Sequence, residues 1–351
     1  MKVIESGRLV LPANAERARA FAADTLVTVH RRRDLLRTAL GGNPLRGEER
    51  AIDESPAQLA TDGISLEGDA GELLDTWLGR ATEWVVLRDY AGSERAKSLI
   101  FLFGPAEPTP FALVKIRAQR SVAPRLEREV EAIASISELL PQNLLAMIPK
   151  VLDYASGAEG EVLVLAALPG RPIGISMQRS TRPHASHRRH LASAGAWLGS
   201  FQRATAPVPF RGTIDELSAV HGDLWPRNVL TAGEAQVSGV IDWEAGAASG
   251  PFWTDLFTFP LLFAIAPEEN AARGFTRAFL EQSAARRAVD GYFDAYCATS
   301  GLPRRALREL FYRFAADSGG IAGKEGGWRA SLDWAWMRQA VALSNRSVFS
   351  G

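Results

Sequence analysis

Two short stretches of this 351-residue chain carry residue types suited to handling phosphate. They are His221-Gly222-Asp223-Leu224-Trp225-Pro226-Arg227-Asn228 and Val240-Ile241-Asp242-Trp243-Glu244. A hydroxyl attacking a phosphoryl group needs a carboxylate near it to orient it and accept its proton. The β- and γ-phosphates of a nucleotide need Mg²⁺, which takes hard oxygen ligands such as a carboxylate or an amide carbonyl. Asp223, Asn228 five residues on, and Asp242 fourteen beyond that supply one base and two metal ligands. Pro226 would stiffen the loop, and the apolar runs after each site would anchor it on strands.

The two motifs, HGDLWPRN (221–228) and VIDWE (240–244), resemble those of the aminoglycoside phosphotransferase and choline kinase-like enzymes, which share the protein-kinase fold. The likeness extends to Lys115 in ALVKIRA, RLEREVEAI (125–133), PKVL (149–152) and VLVLAALPG (162–170), and covers roughly residues 83 to 345. The resemblance implies an α+β, protein-kinase-like bilobal fold, with a small antiparallel-sheet N-lobe and a larger, mostly helical C-lobe. It implies Asp223 as catalytic base, Asn228 and Asp242 as Mg²⁺ ligands, and ATP (or GTP) as co-substrate. Lys115 would hold the α- and β-phosphates, paired with a helix glutamate. Glu129 is the choice from its place in Arg-Glu-Val, with Glu127 and Glu131, which share a face roughly opposite it, as rivals. Leu165 to Leu168, including Ala167, would meet the purine through backbone groups. Ser93 would lie in the phosphate-covering loop 91–97, and Asp255 in PFWTDLF would brace the catalytic loop.

Two departures separate the chain from protein kinases. The position two residues after the catalytic Asp, usually Lys, is Trp225. Asp242 to Asp255 spans only thirteen residues without Ala-Pro-Glu, which leaves no room for a long activation loop. Both favour a small-molecule kinase. The loop 91–97 also has one glycine where protein kinases have a G-x-G-x-x-G run.

Elements must hold these residues in place. EWVVLRDY (83–90), SLIFLFG (98–104) and FALVKIRA (111–118) read as three antiparallel strands. Ala123 to Leu140 has apolar residues at helical spacing, and Pro149 to Tyr154 with Glu161 to Leu168 would return two more strands. Beyond residue 180 the chain reads as mostly helical, interrupted by a β segment from Asn228 to Asp242. Residues 1–80, with a helix expected from Glu16 to Leu40 that includes Arg31-Arg32-Arg33, read as a separate extension. The expected domains are therefore 1–80, a nucleotide-binding N-lobe at 81–170, and a catalytic and substrate-binding C-lobe at 171–351.

Charge and composition narrow the partners. Forty Lys+Arg balance 40 Asp+Glu, which argues against a nucleic-acid binder that relies on a bulk basic field. The sole cysteine, Cys297, allows no internal disulfide and fits a cytoplasmic, reduced setting. MKVIESGRLV lacks the apolar core of a signal peptide, and the most apolar run, Leu256 to Ala266, is about half a membrane span. No membrane or nucleic-acid partner is expected.

Several residues invite competing readings. His221 reads as a structural element that fixes its loop. His184, His187 and His190, interleaved with Arg188 and Arg189, read as a basic solvated face in preference to a zinc site. Trp328, Trp334 and Trp336 read as core. Arg227 could reach the transferred phosphoryl group or pair with a carboxylate such as Glu244. From Pro251 onward there are ten Asp/Glu and twelve Lys/Arg, which weakens the case for a polycationic acceptor. A sugar or other small polyol hydroxyl is the leading acceptor. The alternative is a kinase-fold scaffold in which residues 1–80 recruit a protein partner.

Overall fold

The computed structural model describes residues 2–6, 9–26, 48–51, 54–60, 66–88, 97–118, 126–174, 183–213, 215–265 and 271–315. Ser93, most of the loop 91–97, Arg31–Arg33 and the three C-terminal tryptophans lie outside them. The chain divides into two compact units. One comprises Met1–Ala134 with Ile148–Pro169, the other Ser135–Met147 with Gly170–Gly351.

The first unit is built on one antiparallel sheet of eight strands. Its strands are β1 (Lys2–Ser6), β2 (Leu9–Pro12), β3 (Glu48–Ala51), β4 (Glu83–Leu87), β5 (Lys97–Phe103), β6 (Ala112–Ala118), β7 (Val151–Ser156) and β8 (Gly160–Ala166), in the order β3-β1-β2-β4-β5-β6-β8-β7. Period-2 alternation sorts its side chains into two cores. Val10, Trp84, Val86, Ile100, Leu102, Val114 and Val164 pack with Leu74 and Trp77 of helix α3 (Gly68–Leu78) and Leu59 of α2 (Pro56–Ala60). Their neighbours Leu9, Leu11, Val85 and Phe103 pack with Ala18 of α1 (Glu16–Phe21), which runs on as a wider turn through Leu26. Helix α4 (Leu126–Ser137) follows β6 in the chain.

The expected boundary near residue 80 is therefore not where the chain divides. The N-terminal residues add three strands to the sheet and bury Val10, Leu11, Leu59 and Leu74. Glu83 of β4 fastens α1 as well, accepting from Arg17 Nε at 2.7 Å and from the Ala18 N–H at 3.0 Å. The sequence of residues 1–80 alone could not show this, because a short strand beside polar turns gains its stability from partners far along the chain.

The second unit is mostly helical. It contains α5 (Gln142–Leu145), α6 (Pro183–Thr205), α7 (Trp253–Ile265), α8 (Ala271–Phe275), α9 (Ala284–Ser300) and a further helix over 307–315. Helices α6 and α9 approach so closely that a Cβ on Gly195 would sit 2.3 Å from the Tyr292 carbonyl oxygen, so only glycine fits. Helix α7 is buried along almost its whole length, which explains the most apolar run as core. Among the described residues no helix is long and apolar enough to cross a membrane. On α6 the expected solvated histidine face is corrected. Arg188 and Arg189 are exposed, but His187 is buried edge-on to Phe263 of α7 at 5.8 Å and His190 is half-buried. Short strands β9 (Arg171–Pro172), β11 (Val229–Ala232) and β12 (Gln236–Val240) form one small sheet, and β10 (Leu217–Val220) pairs with β13 (Ala247–Pro251).

Candidate active site

In the first unit, β6 lies between β5 and β8, with Lys115 opposite Leu99 on one side and Leu163 on the other. Lys115 is only 4% exposed, so its ammonium requires a partner inside. Its Nζ reaches both carboxylate oxygens of Glu129, at 2.9 and 2.7 Å, and Glu129 is fully buried. Glu127 and Glu131 are exposed on α4. The spacing that left three glutamates open is thus resolved by which helix face the sheet covers.

At the end of β8, Leu165 is buried and pairs with Leu113 and Val151. The Ala166 N–H donates to the Lys150 carbonyl at 2.9 Å and the Ala167 N–H to the Phe111 carbonyl at 3.2 Å. Those two amides are spent within the sheet's end.

In the second unit, residues 221–228 link β10 to β11. Asp255, in the first turn of α7 and fully buried, accepts the His221 N–H at 2.6 Å and the Gly222 N–H at 3.0 Å. Gly222 has φ +79°, and a Cβ there would meet the Ala245 carbonyl oxygen at 2.2 Å. The His221 ring is fully buried against Trp243, with centroids 4.6 Å apart. Its Nε2 contacts the Ile241 carbonyl at 2.9 Å, and its Nδ1 lies 3.3 Å from the Asp223 N–H. A carbonyl only accepts and an N–H only donates, so Nε2 carries the proton and Nδ1 accepts. Both ring nitrogens are thereby used to hold the loop, as expected for a structural histidine.

The Asn228 side-chain Nδ2 donates to the Asp223 carbonyl at 3.0 Å, and the Asn228 carbonyl accepts the Ile241 N–H at 2.9 Å. Fixing Nδ2 leaves the Asn228 amide oxygen as the atom suited to a cation. Asp242 follows directly on Ile241 and takes a left-handed backbone, φ +69°. Aspartate tolerates that conformation better than most residues. The next residue, Trp243, is buried and donates its indole N–H to the Val240 carbonyl at 2.8 Å, which locks the turn carrying Asp242. Asp223 and Asp242 are both half-buried. The donor set, one half-buried carboxylate and one oriented amide oxygen, suits Mg²⁺, which keeps several waters and is completed by substrate phosphates.

Arg227 is exposed, with its guanidinium over the Trp225 ring at 5.1 Å from the centroid. Sequence reasoning did not foresee that stacking, nor the clamp made by Trp243. It also passed over Arg117 and Glu161, although Arg117 falls two residues after Lys115 on one strand and so on the same face.

These groups are of the kind that chemistry on phosphate requires. Residues 214–292, which include both motifs, match the model of the phosphotransferase enzyme family. Among solved structures, an aminoglycoside phosphotransferase, APH(3'')-Id from Streptomyces rimosus ATCC10970, is similar at 17% identity. That alignment covers 64% of this chain and 97% of the other, with a TM-score of 0.38. An aminoglycoside-3'-phosphotransferase of type VIII is similar at 18% identity over 66% of this chain and 100% of the other, with a TM-score of 0.39. Vaccinia related kinase 3 aligns at 18% identity over 47% of this chain and 48% of the other, with a TM-score of 0.30. No curated protein matches.

Proposed function

We propose that the chain transfers the γ-phosphate of ATP or GTP to a hydroxyl of a small metabolite, with a sugar as the leading acceptor. The observation that carries this reading is the catalytic loop itself. Asp255 fixes its entry, His221 bridges it to Ile241, and Asn228 is turned by the Asp223 carbonyl. The loop presents a carboxylate and an amide oxygen, and the turn after β12 presents a second carboxylate, on backbone held by these bonds.

In this mechanism Asp223 orients the acceptor hydroxyl and takes its proton as the oxygen attacks the γ-phosphorus. Asn228 and Asp242 would hold Mg²⁺, which when bound neutralises charge on the phosphates. Lys115, kept in place by Glu129, binds the α- and β-phosphate oxygens and stabilises the leaving nucleotide. Positioning and charge neutralisation then account for catalysis, as in phosphoryl transfer generally. Arg227, exposed within the turn from Trp225 to Asn228, places positive charge in the loop, and the residues from Pro251 onward are not acid-biased. Both favour a neutral or anionic acceptor over a polycation.

The scaffold reading has less support. Its motivation is that residues 1–80 exceed what the core fold requires, and the described residues of that region are built into the first unit's sheet and core.

The test is thermal unfolding with and without Mg²⁺ and ATP or GTP, on the wild type and on Asp242→Asn. Ligand at about 100 times its Kd adds roughly 2.7 kcal/mol, read as a rise of several degrees. A metal-dependent rise that Asp242→Asn loses is the expected result. No rise with either nucleotide would overturn the nucleotide site.

A further inference from the structure

Lys115 is not alone on its strand in meeting a buried carboxylate. Arg117, two residues on, faces Glu161 of β8 in the same register that sets Lys115 opposite Leu163. Arg117 Nη1 donates to Glu161 Oε2 at 3.2 Å, and the two residues are 8% and 3% exposed. The same oxygen accepts the N–H of Leu126 at 3.2 Å, and Oε1 accepts the Tyr154 hydroxyl at 3.1 Å. Leu126 is the first residue of α4, and Glu129 stands three residues further, about one helical turn.

Both ends of that turn are therefore tied to the sheet. Glu161 takes an amide at the helix start, where N–H groups lack acceptors within the helix and negative charge is favoured. Lys115 takes the carboxylate one turn later. Burial, and then the neighbouring Glu161 carboxylate, raise the Tyr154 phenol above its ordinary value, so it stays a donor.

We infer that Glu161 is a positioning residue for the Lys115–Glu129 pair, fixing the start of α4 so that Glu129 meets Lys115. The consequence for catalysis rests on the reading of Lys115 as the phosphate-holding group. Helix α4 is then held by the chain's own sheet at both ends of its first turn.

Hydrogen exchange on the whole chain tests the positioning without any nucleotide. Glu161→Ala should raise exchange of the amides over 126–131 by about tenfold, the loss expected for a buried charged hydrogen bond. Glu161→Gln, which keeps an oxygen for the Leu126 N–H, should fall between Ala and wild type. A folded Glu161→Ala protein with wild-type exchange at these amides overturns the inference.

MgATP hydrolysis with water as acceptor tests the link to Lys115. Glu161→Ala should lower kcat/KM by about tenfold in the wild type and by less than about twofold in a Glu129→Ala background, because a residue acting through another is non-additive with it. Equal losses in both backgrounds would overturn the coupling. Where Glu161→Ala does not fold, Glu161→Gln replaces it in both experiments, with a smaller effect expected; wild-type exchange over 126–131, or equal kcat/KM losses in the two backgrounds, overturns the inference. If Lys115→Met hydrolyses MgATP as the wild type does, the role given to Lys115 fails, while the exchange result still decides what Glu161 does to α4.

Discussion

Asp255 and His221 are thirty-four residues apart in sequence, yet the Asp255 carboxylate accepts the His221 backbone N–H at 2.6 Å in a fully buried setting. With the other oxygen on the Gly222 N–H, the start of α7 holds the point at which the loop 221–228 leaves β10. Both of these bonds come from backbone N–H groups.

Asp255→Ala should leave both amides without an acceptor and destabilise the chain by about 2–4 kcal/mol. Asp255→Asn keeps one acceptor oxygen and should cost less. Urea unfolding of the two variants reads the difference, and equal stability for Ala and wild type would refute the bracing role.

The buried ion pair predicts a sharp contrast among three glutamates of one helix. Glu129→Gln strands the Lys115 ammonium and should cost about 3–5 kcal/mol. Glu127→Gln and Glu131→Gln alter exposed side chains and should stay within about 0.5 kcal/mol. Denaturant midpoints for the three variants decide it.

Gly222→Ala should be among the more damaging single-methyl changes in the chain. The added Cβ meets the Ala245 carbonyl at 2.2 Å, and the φ of +79° disfavours any L side chain. A loss of at least about 1–3 kcal/mol is expected from the backbone conformation alone. MgATP hydrolysis should fall further than stability does, because the loop that carries Asp223 must shift.

Removing residues 1–75 should abolish folding. The truncation takes three of the eight strands and strips Val10, Leu59 and Leu74 from the core. Circular dichroism and gel filtration of the truncated chain would show this, and a folded monomer would mean that β4–β8 suffice.

Cys297 supplies a pH test. Burial pushes its thiol up from 9.0 to about 11, so the folded chain holds that proton more tightly than the unfolded chain. The resulting stability is complete below about pH 9 and is lost as pH rises towards 11, with the sign set by protons leaving the unfolded state first. Comparing wild type with Cys297→Ser, melts between pH 8 and pH 11 should converge on the alkaline side. Alkylation of the native thiol at pH 8 should be slow.

The proposed site rests on signals that are local in the chain. Asp223, Asn228 and Asp242 each lie in a turn beside a short strand, so their order and spacing can be read without the fold. The strands around Lys115 announce themselves through apolar runs bounded by Gly and Pro, and they fall where expected to within about two residues, the usual uncertainty of element ends. The helix carrying three candidate glutamates was equally plain.

What the sequence left open were relations between distant segments. Periodicity gives the faces of α4 but not which of them meets β6, so Glu127 and Glu131 stayed rivals to Glu129 until burial separated them. Residues 1–80 show weak local signals because β3 pairs with β1 across more than forty residues and β2 with β4 across more than seventy, contacts that no short window contains. Glu161 at Leu126 and Trp243 beneath His221 are likewise pairings of groups that meet only when the chain folds, whereas Asp255 against the loop was expected from the resemblance and only its two amide partners were not. Local chemistry determined which residues could act on phosphate. Tertiary burial decided which of them are held still, because a buried charge or amide is stable only where the fold supplies its partner.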